Sequence, residues 1–443
     1  MKRIISLLFA AAFFVICLVP SIGLALTGGA KAGANEVLAA KPSLTTRGGA
    51  FNGSVLSDLA DYIGDRFFLR QEAVTAWAKL NATLLKSSVT EDVILGADGW
   101  LYFTPTLADF TRSDPMDERE LWCAARVLYL LQEYAEGRGG SFVFTVAPNK
   151  NSLYKSAMPE YPVSDGPSNA EALSAYLEHM GVHYLDLFEV FSAEDEILYF
   201  PTDSHWNGRG AALAADAILG ALGHEGSWSS GPFSDAVHTG DLYEMLYPAG
   251  KDTDPDHAFA PGFTFAANTS NPDNIRISAD GPGDGALLMY RDSFGRNLYP
   301  YLAESFARAQ FSRKTDYDPT AMEDGGALVI ELVERNLRYL NRYAPSLPAP
   351  ERDPGPIEGA SGRGEIPVQV SEGTEGFALI SGTFGGVFPD DDSPVYVSAG
   401  GTVREAVPLP DGFSALVPGT DVTGISIVFR SSGELVSLAG IIE

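Results

Sequence analysis

The chain predicts an α/β fold: a three-layer α/β/α domain around a mostly parallel sheet, followed by a small all-β module. Three observations carry this. Between about residues 115 and 340, short continuous apolar runs alternate with helical patterns, as strands buried on both faces require. A Pro- and Gly-rich stretch, 344–367, then interrupts the pattern like a linker. Beyond it, in 368–443, helices give way to short β-type runs separated by turns of Gly, Pro and Asp.

The elements follow in order. Lys2 and Arg3 precede an apolar run from Ile4 to Leu26, broken only by Ser6, Pro20, Ser21 and Gly23. Residues 1–26 are therefore a signal peptide or a signal anchor. Gly23-Leu24-Ala25 offers small residues for cleavage after Ala25, while the length of the run suits an anchor. Residues 27–50, rich in Gly, Ala and Lys, form a flexible spacer. Of two cysteines, Cys17 lies in the apolar run and Cys123 in a helical context, so neither a disulfide framework nor a cysteine zinc site is available. Phe51, Val55, Leu59, Ile63 and Phe67 recur at helical spacing, continuing through Trp77 and Leu80. Val93-Ile-Leu and Leu101-Tyr-Phe flank an Asp-Gly turn, a hairpin signal.

The main domain is assigned to 51–343. Helices are expected at 118–136, 168–180 and 210–222, and buried strands at 141–146, 184–187, 286–290 and 327–332. Residues 225–284, rich in Gly, Asp, Pro, Ser and Asn, look like a long excursion over the sheet, a lid. The runs Val368-Gln-Val, Val395-Tyr-Val and Ile425–Phe429 make the last module sandwich-like. Asp390-Asp391-Asp392 within it reads as a solvated turn, because a full set of calcium ligands is lacking.

Of 443 residues, 45% are hydrophobic, enough for a large core, and the formal charge is -28. Such a charge argues against nucleic acid as a partner. Ligands of parallel sheets bind at the carboxyl ends of the strands, and two polar constellations fall there. Thr202-Asp203-Ser204-His205-Trp206-Asn207 puts an acid and a base in one loop before an Ala-rich helix. Met289-Tyr290-Arg291-Asp292-Ser293-Phe294-Gly295 puts a serine between an apolar strand and a helix. Backbone N–H groups of Ser293 and Phe294 would face a developing oxyanion there. Each alone has a plain alternative: a satisfied histidine, or a helix cap. Together they supply nucleophile (Ser293), base (His205) and orienting carboxylate (Asp203). Asn149 and Lys150, after the strand at 141–146, can bond a sugar or an oxyanion or equally form a turn with an Asn cap, and Arg291 and Trp206 are further candidates for substrate contact. Glu331, at the end of the strand 327–332, and Glu334 and Arg335 after it can likewise approach the pocket, with a surface ion pair as the plain alternative for Glu334 and Arg335.

These segments, in this order, resemble the SGNH-hydrolase-like domain of the alginate O-acetyltransferase family (AlgX/AlgJ type) and its DHHW-motif relatives. The matching stretches are Asp98–Tyr102, Ala147–Lys150, Thr202–Asn207, Gly240-Asp241-Leu242, Arg291–Gly295 and Glu331–Arg335. The Asp-x-His pair precedes the serine, the reverse of ordinary SGNH hydrolases. Ser204 stands where DHHW relatives carry a second histidine, and Arg291 where many relatives have a smaller residue. The resemblance implies an extracytoplasmic protein of the bacterial cell envelope, membrane-anchored or secreted. It further implies transfer of acetyl groups to exopolysaccharide hydroxyls through Ser293, His205 and Asp203, with no metal or other cofactor. A membrane-bound partner protein would deliver the acyl group. The rival readings are a carbohydrate acetyl-esterase with the same triad, and a non-catalytic polysaccharide-binding scaffold of an export machine.

Overall fold

The structure, a computed structural model, describes residues 2–32, 37–259, 262–374, 376–419 and 422–443. The side chain of Cys17 and residues 33–36 of the spacer lie outside the described residues. Helix α1 (Lys2–Thr27) takes up the apolar N-terminal run. Its stretch Arg3–Thr27, 25 residues, is long and apolar enough to cross a membrane. A signal sequence has the same character. The periodicity of 51–80 divides into α2 (Val55–Arg66) and α3 (Arg70–Leu84). It breaks at Leu69, whose left-handed backbone (φ 64°) interrupts the helix. The apolar stripe of α2, Leu59 and Ile63 included, stays exposed.

β1 (Val93–Leu95) and β2 (Leu101–Phe103) form the expected hairpin, with Asp98 and Gly99 of its turn at φ 52° and 83°. Next come α4 (Leu107–Thr111) and α5 (Glu118–Gly137), which a reciprocal box between Asp117 and Glu120 caps. β3 (Ser141–Ala147), α6 (Lys150–Leu153), α7 (Asn169–Met180) and β4 (Tyr184–Leu185) follow. The strand expected at 184–187 stops early because Asp186 caps α8 (Leu187–Ser192). Asn207 then caps α9 (Gly208–Ala221).

The segment 225–284 is more than a lid. β5 (Phe233–His238) and β6 (Asp254–Phe259) pair with each other, with α10 (Asp241–Leu246) between them in sequence. β7 (Ala266–Ala267) and β8 (Arg276–Asp280), however, join the main sheet. β9 (Ala286–Tyr290), α11 (Gly295–Ser305), β10 (Arg308–Ser312), β11 (Ala327–Val333) and α12 (Tyr339–Arg342) complete the domain.

The seven-stranded sheet runs β4-β3-β11-β9-β10-β8-β7. The first five strands are parallel, while at one edge β8 runs antiparallel to β10 and β7 antiparallel to β8, so the sheet is mixed. Alternation along β11 makes the layers: Ala327, Val329 and Val333 face the core under α9 and α11, and Leu328, Ile330 and Leu332 face the core under α5 and α7. The carboxyl ends of β3, β9 and β11 therefore lie side by side, each followed by a polar loop.

Among the described residues the C-terminal module has eight strands: β12 (Ser361–Glu372), β13 (Phe377–Thr383), β14 (Tyr396–Ala399), β15 (Thr402–Glu405), β16 (Val407–Leu409), β17 (Gly412–Pro418), β18 (Ser426–Ser431) and β19 (Glu434–Ile442). The long β12 pairs with β19 along its first part and with β13 along its last, and the two halves share one apolar core. The stretch 344–367 is not a free tether. Pro348 bridges to Leu416 and Glu351 to Arg404, and β12 already begins at Ser361. The module docks on α5. Arg126 forks onto Glu405 at 2.7 and 2.8 Å, and Arg352 joins Glu405 (2.9 Å) to Glu133 (2.5 Å). Asp390 accepts from the backbone of Ser432 and Gly433, as a turn residue does.

Candidate active site

The loop before α9 is braced before it can act. Tyr199 and Trp206 bridge across it, and Asn207 N–H donates to the Leu198 carbonyl at 2.8 Å. From below, Lys150 Nζ donates to the carbonyls of Phe200 (3.0 Å), Pro201 (2.9 Å) and Asp203 (2.5 Å). Three carbonyl dipoles tie the loop to α6. Burial pulls the Lys150 ammonium down to about 7, against the attraction of Asp203.

Ser293 sits between β9 and α11, where Asp292 builds the turn. Its Oδ1 accepts from Phe294 N–H (2.9 Å), and its Oδ2 from Val333 N–H (2.7 Å) and Asn336 Nδ2 (3.1 Å). The serine loop is thereby locked to the end of β11. Phe294 packs against the His205 ring with centroids 4.7 Å apart, and edge-on against Trp206 at 4.9 Å.

The two loops meet. Ser293 Oγ lies 2.9 Å from His205 Nε2, and His205 Nδ1 lies 2.7 Å from Asp203 Oδ1. His205 N–H donates to the same Oδ1 at 2.8 Å, which fixes the ring relative to the carboxylate. The other oxygen of Asp203 accepts from His238 Nε2 (2.7 Å) and from Asp241 N–H (2.9 Å). Asp203 is 4% exposed. Burial opposes its charge, yet the two imidazoles outweigh burial and hold the carboxyl well below the usual carboxylate range. Burial likewise opposes a charge on His238, but Asp203, Asp256 and Asp241 raise it above its ordinary 6.5. The Gly240-Asp241 step explains itself here. A Cβ on Gly240 would fall 2.1 Å from the Thr202 carbonyl, so only glycine lets this backbone approach Asp203.

A cavity of about 290 Å³ opens beside His205 and His238, lined also by Phe200, Phe263, Arg296 and Asn297. Asn149, Lys150, Arg291 and Trp206, the candidates for such a surface, all turn inward. Asn149 gives its N–H to Glu334 (2.9 Å) and its amide to Asp109 (3.1 Å). Arg291 donates to the carbonyls of Pro272 and Asn274. Trp206 is wholly buried. All four hold loops in place. Phe294 N–H, expected to face an oxyanion, is already bonded to Asp292, which leaves that of Ser293. Glu334 and Arg335 form no ion pair among the described residues: Glu334 is buried, and Arg335 lays its guanidinium over Phe103 and Phe294. Glu331 Oε2 accepts from Asp292 N–H (3.2 Å) behind the serine loop.

No periodicity or strand end in the sequence marks His238, or gives Asp241 or Ser204 a role. Ser204 Oγ donates to Asp241 Oδ2 at 2.6 Å and lies 3.2 Å from His205 Nδ1, so it rests on the flank of the imidazole. Asp203, His205 and Asp241 have ligand atoms close enough to hold a metal ion. In each, that neighbourhood is already bridged by hydrogen bonds within the protein.

Residues 93–246 match the family model described as the SGNH hydrolase-like domain of acetyltransferase AlgX. The protein described as "Probable alginate O-acetylase AlgJ" of Pseudomonas syringae pv. tomato is 23% identical over 209 residues, 44% of this chain and 51% of that protein. The chain thus spans about half the length of this relative. Among solved structures, PatB1 of Bacillus cereus aligns with 17% identity over 56% of this chain and 98% of that one, with a TM-score of 0.44. AlgX of Pseudomonas aeruginosa aligns with 14% identity over 78% of this chain and 90% of that one, with a TM-score of 0.36. The α/β domain is therefore of the SGNH-like class, and over 93–246 it is similar to the AlgX acetyltransferase family, as its motifs implied.

Proposed function

We propose that this protein is a cell-envelope O-acyltransferase that places acetyl groups on exopolysaccharide hydroxyls through an acyl-serine at Ser293. One observation carries the proposal: the unbroken hydrogen-bonded path from Ser293 Oγ through both nitrogens of His205 to Asp203. His205 Nε2 takes the serine proton as Oγ attacks the acyl carbon. Asp203 stabilises the imidazolium that results. The oxyanion is stabilised by Ser293 N–H. Such a donor contributes about 3 kcal/mol. His205 then returns the proton to the leaving group. In a second round it deprotonates a sugar hydroxyl, which takes the acyl group and frees Ser293.

The match to an acetyltransferase domain supports transfer, and a helix able to cross a membrane supports an envelope location. A membrane-bound partner would supply the acyl donor, and the docked β module would hold the polymer. The test uses the full chain with a chromogenic acetyl ester, with and without a glycan acceptor. Wild type should release the chromophore and acetylate the glycan, and Ser293→Ala should lose at least about 10³-fold in kcat/KM. An unchanged rate in Ser293→Ala overturns the mechanism; acetate as the sole product with acceptor present makes the protein an esterase.

A further inference from the structure

A second cavity, about 500 Å³ in volume, lies on the other side of α6 from the Ser293 site. The two ends of this one-turn helix face different ways. Lys150 bonds the loop of Asp203, while Asn151 and Ser152 line the second cavity. Its volume is within the ~300–1,000 Å³ typical of small-molecule sites. Like the first, it opens at the carboxyl ends of parallel strands, here β3, β4 and β11.

Its lining is rich in acceptors with few donors to meet them. Asn151 is 1% exposed; its amide nitrogen bonds Thr106 at 2.9 Å, and its Oδ1 has no partner among the described residues. Glu334, 2% exposed, takes both its protein hydrogen bonds on one oxygen, Oε2, from Asn149 N–H (2.9 Å) and Ser152 Oγ (2.6 Å). The orphaned Oδ1 of Asn151 costs free energy at such depth until a donor arrives. Asp109, Asp186, Glu171 and Glu189 add negative charge around the mouth. The cations there are Arg112, which reaches Glu171 at 3.7 Å, and Lys155. Phe110, Tyr184 and Phe188 supply apolar and aromatic surface.

We infer that this cavity binds a sugar residue that presents hydroxyl or ammonium donors and carries no carboxylate. Aromatic faces take the apolar side of a pyranose, carboxylate and amide oxygens take its donors, and the acidic mouth repels a uronate. The inference does not rest on the acyl-transfer reading, since binding needs none of the triad.

The experiment measures binding of three tetrasaccharides to the full chain by titration calorimetry: tetraglucosamine, cellotetraose and tetragalacturonate. Ser293→Ala serves as the background, so a failure of catalysis and a failure of binding are separate results. Either tetraglucosamine or cellotetraose should bind at least ~10-fold tighter than the uronate, and the preference between them tells ammonium from hydroxyl recognition. Ser174→Trp, a rim position on α7 that would fill the cavity, should weaken that binding at least ~10-fold. Glu189→Arg should weaken tetraglucosamine more than cellotetraose. Equal or tighter binding of the uronate, no binding of any of the three, or binding that Ser174→Trp leaves unchanged overturns the inference.

Discussion

Two buried carboxylates stand on either side of α6, and their affinities for a proton are shifted in opposite directions. Asp203 and Glu334 are 4% and 2% exposed, so burial is nearly the same. Asp203 is flanked by two imidazoles and held well below the usual carboxylate range. Glu334 has only a hydroxyl and an amide for donors, and burial pushes it up to about 7 despite the Ser152 bond. Partners, rather than depth, decide the charge of a buried acid. One side of the helix therefore offers a fixed anion to a histidine, and the other a cavity whose acid is half-protonated near neutrality. The sharpest test is Asp203→Asn. It keeps the shape and removes the charge, so kcat/KM should fall by about 10³ to 10⁴ while the fold persists. A loss below tenfold would mean that the anion is not what prepares His205.

A third buried carboxylate extends the comparison. Glu405, 1% exposed, receives guanidinium forks from Arg126 and Arg352 across the contact between α5 and the β module. Truncation would strand two cations, so Glu405→Ala should destabilise the docked module by about 3 kcal/mol. The check is loss of a single cooperative melting transition. Glu334→Gln probes the opposite case. A carboxyl raised from 4.5 to about 7 in the folded state binds its proton more tightly there than when unfolded. Its contribution is complete below pH 4.5 and is lost as pH rises through 7, by at most about 3 kcal/mol. Over that window wild type should lose stability that Glu334→Gln retains. Parallel denaturation curves for the two at pH 4.5 and pH 8 would show that Glu334 is already ionised when folded.

Much of this was legible in the sequence, for a physical reason. Strands buried on both faces, such as Ala286–Tyr290 and the run Ala327–Ile330 of β11, are continuously apolar, and the polar residues that end them are where chemistry can reach solvent. Ser293, His205 and Asp203 stand out because they follow such runs or precede a capped helix. His238 has no such frame. It ends an edge strand in a Gly- and Asp-rich segment, and its partner lies 35 residues away. Asn149, Lys150 and Arg291 misled for the converse reason. They also follow buried strands, but loops that support a site need internal donors as much as the site does. Lys150 spends its three hydrogens on three carbonyls. The antiparallel edge β8-β7 escaped because its runs are short and half polar. Sequence periodicity marks faces of elements, and it is silent on which distant loop closes against which.

His238 offers the finest cut at the contrast between the two acids. It stacks on Phe200 with centroids 4.2 Å apart and bonds the oxygen of Asp203 that His205 does not use. Asp203, Asp256 and Asp241 face it and raise its pKa above 6.5. While protonated, it competes with His205 for the charge of Asp203, so the imidazolium formed at His205 is less stabilised. As pH climbs through the raised pKa, His238 turns neutral and that competition ends. Wild-type kcat/KM should therefore gain a second increment on the alkaline side of 6.5, beyond a single ionisation. His238→Gln keeps a donor toward Asp203 without the titration. Its profile should collapse to one ionisation, with a loss of up to about tenfold at the plateau, the worth of one weakened bond to a charged acceptor. If the variant keeps the two-step profile, the second imidazole is only a prop for Asp203, and the charge of that acid is set by His205 alone.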